Sequence, residues 1–281
     1  VVAYAVGICT NSVQGAEMPS FIAKDKTIVH YESYGSGKPI LLIHGWGLSR
    51  VWGCQISEFS REHRVITVDL RGHGESGPPD FNLDTLKGDV LTAIKELGIR
   101  DVTLVGWSMG ASVAIKLMAE DKPEEVDSLV IVAGTPMLTA AYTGRGEKMG
   151  ISKRIGVIGL LLHLMARYTR EVFSRKGFLR DRLWIIKNCG PWANFRTLWG
   201  YMKTMVETDL AGILNNIDVP TMILHGDRDI LCPVEGAYRM AERIKGSRLV
   251  ILEGDDHTLC LTDPERVNEK IREFVHKLRP S

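Results

Sequence analysis

The sequence predicts an α/β protein, with a mostly parallel central sheet flanked by helices and interrupted once by a helical insertion. Three observations predict it. Six short runs rich in β-branched and aliphatic residues recur at 39–44, 64–70, 101–106, 127–133, 219–225 and 247–253, and such near-continuous apolar runs belong to strands buried on both faces. Stretches with apolar spacing near 3.6 alternate with them. Between about 137 and 209 the alternation stops; helical pattern replaces strand pattern and three of the six tryptophans (Trp184, Trp192, Trp199) gather there, as in a helical insertion between two strands.

Taken in order, residues 1–16 are uncharged and mildly apolar, and Ala16 resembles a small-residue cleavage position. A basic n-region is absent, so residues 1–17 read as an appendage ahead of Met18, with export and a mature end after Ala16 as the alternative. Thr27–Tyr34 alternates polar and apolar residues, which suits an antiparallel edge strand. The parallel strands follow, beginning with PILLIH (39–44) and RVITVDL (64–70). Helices are expected over 82–97, where Leu83, Leu86, Val90, Ile94 and Leu97 share a face, and over 109–120, 234–245 and 263–278. The expected organisation is 18–136 and 210–281 as the two parts of one core, with 137–209 as a lid.

Composition bounds the partners. With 44% apolar and 25% charged residues, disordered, collagen-like and fibrous classes are excluded. A net charge of +1 gives no footprint for nucleic acid or an anionic membrane. No apolar run reaches the 18 residues of a membrane span. The five cysteines (Cys9, Cys54, Cys189, Cys232, Cys260) are scattered without CxxC spacing, so reduced thiols in a cytoplasmic protein are expected, and neither a disulfide framework nor a zinc site.

The chemistry centres on Gly106-Trp107-Ser108-Met109-Gly110, which lies between the strand DVTLVG and a helical run. In that context GxSxG marks a sharp strand-to-helix turn that projects the serine above the sheet at a helix N-terminus. Outside that context it is only a glycine-rich turn. An activated serine needs a base, and the base needs an orienting acid. After the strand ending at His225 comes a loop with two carboxylates, Asp227 and Asp229. After the last strand comes Gly254-Asp255-Asp256-His257. Acid and histidine thus follow C-terminal strand ends, where open α/β sheets build their sites. His30 and His225 fall within strands and read as structural; His63, His163 and His276 have no comparable position. Oxyanion donors are expected from the backbone N–H of Met109, after the nucleophile, and of Trp46 in the loop His44-Gly45-Trp46-Gly47. Asp69-Leu70-Arg71-Gly72-His73-Gly74-Glu75-Ser76 reads as a turn scaffold beneath the site, because no second group of metal ligands accompanies it.

With HGWG, DLRGHGES, GWSMG, GDRDILCP and GDDH in this order, the chain resembles the α/β-hydrolase superfamily over about residues 26–278. The serine sets it apart from haloalkane dehalogenases and epoxide hydrolases, which carry aspartate there. LLIHGWGLSRVW and GWSMGASVAIKL look similar to the pimeloyl-acyl-carrier-protein methyl ester esterases of biotin synthesis, and similar motifs occur in cofactor-free haloperoxidase-like esterases. Ala111 departs from the further glycine that many relatives carry. The family pattern G-x-x-D-x-x-x-P favours Asp229 as the acid, with Asp227 shaping the turn through its own backbone. What the resemblance implies is ester hydrolysis through an acyl-enzyme by Ser108, His257 and Asp229, with no metal or organic cofactor.

The lid sharpens the partner question. Residues 137–209 hold 13 Lys+Arg against five Asp+Glu, a net +8, while the remainder carries −7. Arg154, Arg167 and Arg170 are interleaved with apolar residues, as in an amphipathic lid. This basic face is either a solvated surface or a docking face for an acidic acyl carrier protein. Three functions follow as expectations: a hydrolase of pimeloyl-carrier methyl ester, a short-acyl esterase with perhydrolase activity, or a non-catalytic ligand receptor.

Overall fold

A computed structural model describes residues 19–46, 50–138, 159, 166 and 194–278. The expected appendage, most of the expected lid, and Arg154, Arg167 and Arg170 lie outside the described residues. Eight strands form one sheet in the order β1-β2-β4-β3-β5-β6-β7-β8. They are β1 (Ser20–Ile22), β2 (Ile28–Tyr34), β3 (Pro39–Ile43), β4 (Arg64–Val68), β5 (Val102–Trp107), β6 (Val126–Val132), β7 (Thr221–Gly226) and β8 (Arg248–Leu252). β1 and β2 pair antiparallel, β2 joins β4 antiparallel, and all remaining pairs are parallel.

Strand periodicity explains the continuous apolar runs. In β3, Leu41 and Ile43 enter one buried cluster and Ile40 and Leu42 the other, because successive side chains face opposite sides of the sheet. On the first side pack α2 (Leu83–Glu96), α3 (Met109–Glu120) and α5 (Glu235–Arg243), through Leu86, Val90, Val113, Leu117 and Met240. On the second pack α1 (Gly53–Phe59), α6 (Leu259–Thr262) and α7 (Pro264–Lys277), through Phe59, Leu261, Ile271 and Phe274. Both faces are therefore covered, as a parallel sheet requires. α7 begins at Asp263, whose side chain accepts from the Arg266 N–H, with Pro264 in its first turn, where a missing N–H costs nothing.

Strand order sets where a site forms. From β3 the chain moves outward to β4, then returns to place β5 on the other side of β3. This reversal leaves a crevice beyond the C-terminal ends of β3 and β5, the usual ligand position in open α/β sheets. Within the expected lid, the described helix α4 (Phe195–Glu207) is capped by Asn194, which accepts from the Thr197 N–H. Its Tyr201 hydroxyl donates to the Arg71 carbonyl at 2.5 Å, and Thr204 Oγ1 to the Phe81 carbonyl at 2.6 Å. No helix among the described residues is long and apolar enough to cross a membrane.

Candidate active site

Ser108 sits between β5 and α3 with φ 55° and ψ −116°, a strained conformation for a residue with a Cβ. The fold enforces it. Ser108 N–H donates to the Val132 carbonyl at 3.0 Å, fixing the turn against β6. A Cβ on Gly106 would collide with the Gly110 carbonyl oxygen, and one on Gly110 with the Ile43 carbonyl oxygen at the end of β3. Both glycines of GxSxG are thus demanded by close backbone approach.

The structure brings the three side chains expected from the sequence into one line. His257 Nε2 lies 2.8 Å from Ser108 Oγ, so the hydroxyl can donate to it. The Asp229 carboxylate accepts from His257 Nδ1 at 2.7 Å. Asp229 has a fully buried side chain, and its other oxygen accepts from the Leu231 and Cys232 N–H groups at 2.9 and 2.7 Å. The loops that carry them are tied together. Trp107 Nε1–H donates to the His257 carbonyl at 2.9 Å, and Arg228 N–H to the Asp255 carbonyl at 2.8 Å.

Electrostatics follow from this burial. Desolvation would push the Asp229 carboxyl up, but the His257 charge and hydrogen bonds from His225 and His257 prevail and hold it well below the ordinary range. Desolvation likewise opposes charge on His257, yet the Asp229 carboxylate beside it prevails and raises the imidazole well above 6.5. The two titrate as a coupled pair.

One sequence reading changes and another gains detail. Asp227 does not bond its own backbone: its Oδ1 accepts from Gly254 N–H at 2.7 Å, linking the loops after β7 and β8. Asp229 is the residue that organises its own loop. His225, read only as a strand residue, donates through Nε2 to the Cys232 carbonyl at 2.7 Å and lies 3.3 Å from Asp229 Oδ2. Its place one residue before the loop was visible in the sequence; the direction of its ring was not.

Trp46 and Met109 line the same cavity as Ser108 and His257. Met109 opens α3, so its N–H lacks an intrahelical acceptor. The Trp46 loop is braced by a residue whose role the sequence did not disclose. His44 Nε2 accepts from the Leu70 N–H at 3.0 Å, which leaves Nδ1 protonated to donate to the Gly45 carbonyl at 2.7 Å. The peptide bond that carries the Trp46 N–H is thereby fixed in plane. Burial pushes the His44 imidazole down to about 4, so this tautomer persists at neutral pH. The DLRGHGES scaffold supports the same floor: Ser76 Oγ donates to the Asp69 carbonyl at 2.5 Å, and Arg71 pairs with Asp89 at 2.6 Å and with Asp25.

The cavity measures about 90 Å³. Its apolar wall includes Leu138, Leu198, Met202, Met205 and Leu231. Thr135 Oγ1 is buried at its edge without an intramolecular partner among the described residues.

Comparison with known proteins agrees with the fold. The model of the alpha/beta hydrolase family matches residues 40–270. A non-heme haloperoxidase of Rhodococcus erythropolis is 29% identical, covering 92% of this chain and 99% of that protein. A pimeloyl-[acyl-carrier protein] methyl ester esterase of Nitrosomonas europaea is 30% identical, covering 85% of this chain and 96% of that protein. Among solved structures, an esterase from Exiguobacterium antarcticum superposes with a TM-score of 0.80 at 27% identity, covering 92% of this chain and all of that one. The chain belongs to the alpha/beta hydrolase family.

Proposed function

We propose that the protein is a serine carboxylic-ester hydrolase acting through an acyl-enzyme. The observation that carries this reading is the continuous hydrogen-bonded line Ser108–His257–Asp229, opening on a cavity. Ser108 Oγ attacks the ester carbonyl as His257 Nε2 takes its proton. The oxyanion is received by the Trp46 and Met109 N–H groups, each such donor being worth about 3–4 kcal/mol. His257 returns the proton to the departing alkoxide, which leaves as the alcohol. Water then attacks the acyl-enzyme, giving its proton to His257, and the free acid leaves as Ser108 regains its proton. No metal or organic cofactor enters these steps. A cytoplasmic location belongs to the proposal, supported by the free thiols Cys232 and Cys260.

The substrate we favour is a methyl ester at the end of an acyl chain held by an acyl carrier protein, the reaction named for the Nitrosomonas relative. The +8 balance of residues 137–209 supports an acidic partner, with Arg154, Arg167 and Arg170 as docking residues. Cavity size supports a second reading, a free short-acyl esterase with perhydrolase activity. At about 90 Å³, the cavity is smaller than the ~150 Å³ that holds benzene. It suits a short acyl group as well as a terminal methyl ester. Turnover of free methyl and short-acyl esters and of a carrier-bound methyl ester separates these readings. Charge reversal at Arg167 and Arg170 should lower carrier-bound turnover selectively. Equal losses on both substrates would sink carrier docking. No turnover of any acyl ester would leave the receptor reading.

A further inference from the structure

Cys232 is a buried thiol with no part in the ester chemistry. It follows Asp229 by three residues, and its backbone is fixed on both sides. Its N–H is bonded to Asp229 Oδ1 and its carbonyl to His225 Nε2, both at 2.7 Å. This loop geometry sets a sulfur beside the candidate acid and base. Ligand atoms of Asp229, Cys232 and His257 all lie within 4.8 Å of one another, and all three residues are buried. Cys232 and His257 also line the cavity that holds Ser108, and the Asp229 side chain is fully buried beside them.

A carboxylate oxygen, an imidazole nitrogen and a thiolate form a donor set suited to zinc. Sequence spacing conceals this set, because His257 comes from a different loop. We propose that Asp229, Cys232 and His257 form an inhibitory site for a thiophilic divalent cation of the zinc class. On binding, the aquo ion sheds water, Cys232 releases its thiol proton to solvent, and the His257 Nδ1 proton moves to Nε2, which frees Nδ1 as a ligand and removes the acceptor that faces Ser108. The thiolate, the neutral His257 nitrogen and the Asp229 carboxylate each supply an electron pair, and nothing is oxidised or reduced. The cation commits the imidazole and the carboxylate together and breaks the hydrogen bond between them, so Ser108 loses its base. The inhibitory consequence rests on the serine-hydrolase reading; the binding does not.

The test uses the reduced full chain, with Cd²⁺ as a spectroscopic probe and Zn²⁺ as the inhibitor of chromogenic ester turnover. Wild type should show a Cd–thiolate charge-transfer band saturating at one ion per chain. Zn²⁺ inhibition should be reversed by chelation. In Cys232→Ser the band should vanish and half-inhibition should require at least about tenfold more Zn²⁺, measured against that variant's own uninhibited rate. Cys232→Ala should behave alike, so the test does not hang on one substitution. Ser108→Ala keeps all three ligands and should keep the band. A band that survives in both Cys232 variants, or no band in wild type, would overturn the site. A band without inhibition of an active enzyme would overturn the inhibitory role. A Cys232-dependent band in a chain with no ester turnover would leave the site standing and remove the hydrolase reading.

Discussion

At the residue scale, Asp229 and His257 set opposite pH demands on activity and on stability. In the proposed mechanism His257 must be neutral to accept the Ser108 proton, and the Asp229 carboxylate raises its pKa, so kcat/KM should fall with decreasing pH through a value well above that of ordinary imidazole. Stability runs the other way. The raised His257 contributes fully below its unfolded value of 6.5 and loses that contribution as pH rises through the folded value. The depressed Asp229 contributes above its unfolded value of 3.8 and loses it as pH falls through the folded value. The pair therefore stabilises most between these two ordinary values, on the acid side of the activity range. Asp229→Asn should lower kcat by about 10⁴ and move the acid limb of kcat/KM to lower pH, because the carboxylate that outweighs burial at His257 is then gone. Thermal melts should show the largest wild-type advantage in the mildly acidic window and a shrinking one above it. An unmoved acid limb would contradict the coupling.

The meeting of Ser108, Asp229 and His257 was legible at this scale because each follows a recognisable strand, although strand position left Asp227 and Asp229 both open and only the family pattern favoured Asp229. His44, His225 and Cys232 were not legible. Their roles depend on ring direction and on contacts such as His44 to Leu70, 26 residues away, which no local pattern encodes.

Among the elements, the turn from β5 to α3 is tightly specified. Gly110 faces the Ile43 and His44 carbonyl oxygens, so the helix N-terminus and the end of β3 approach as closely as backbones allow. Gly110→Ala should destabilise the fold by about 3 kcal/mol or more, read as a lower urea midpoint; a wild-type midpoint would refute this packing. The long parallel strands and the helices α2, α3, α5 and α7 were legible, since each repeats its period several times. β1, α1 and α6 were missed. They span 3, 7 and 4 residues, too few for a period to emerge, and α6 is formed by packing Leu259, Cys260 and Leu261 against the sheet.

For the whole molecule, the order of strands decides where chemistry can occur. Reversal at β3 and β5 places the Trp46 loop beside Ser108, while β7 and β8, adjacent and parallel, deliver acid and histidine loops as neighbours. Sequence fixes which residues end each strand, but strand order is a long-range choice that recurring apolar runs leave open. Arg71 shows how the scaffold locks that choice. With Asp89 it forms a buried pair beneath the site, and its carbonyl receives the Tyr201 hydroxyl from α4, binding three distant stretches of chain. The most direct test of the account is a single-turnover trap. The full chain is quenched in acid during turnover of a slow chromogenic ester, and its peptides are analysed by mass spectrometry. The account predicts one added acyl group on the Ser108 peptide, absent in Ser108→Ala. Ester turnover with no adduct there, or with acyl on another residue, would contradict it.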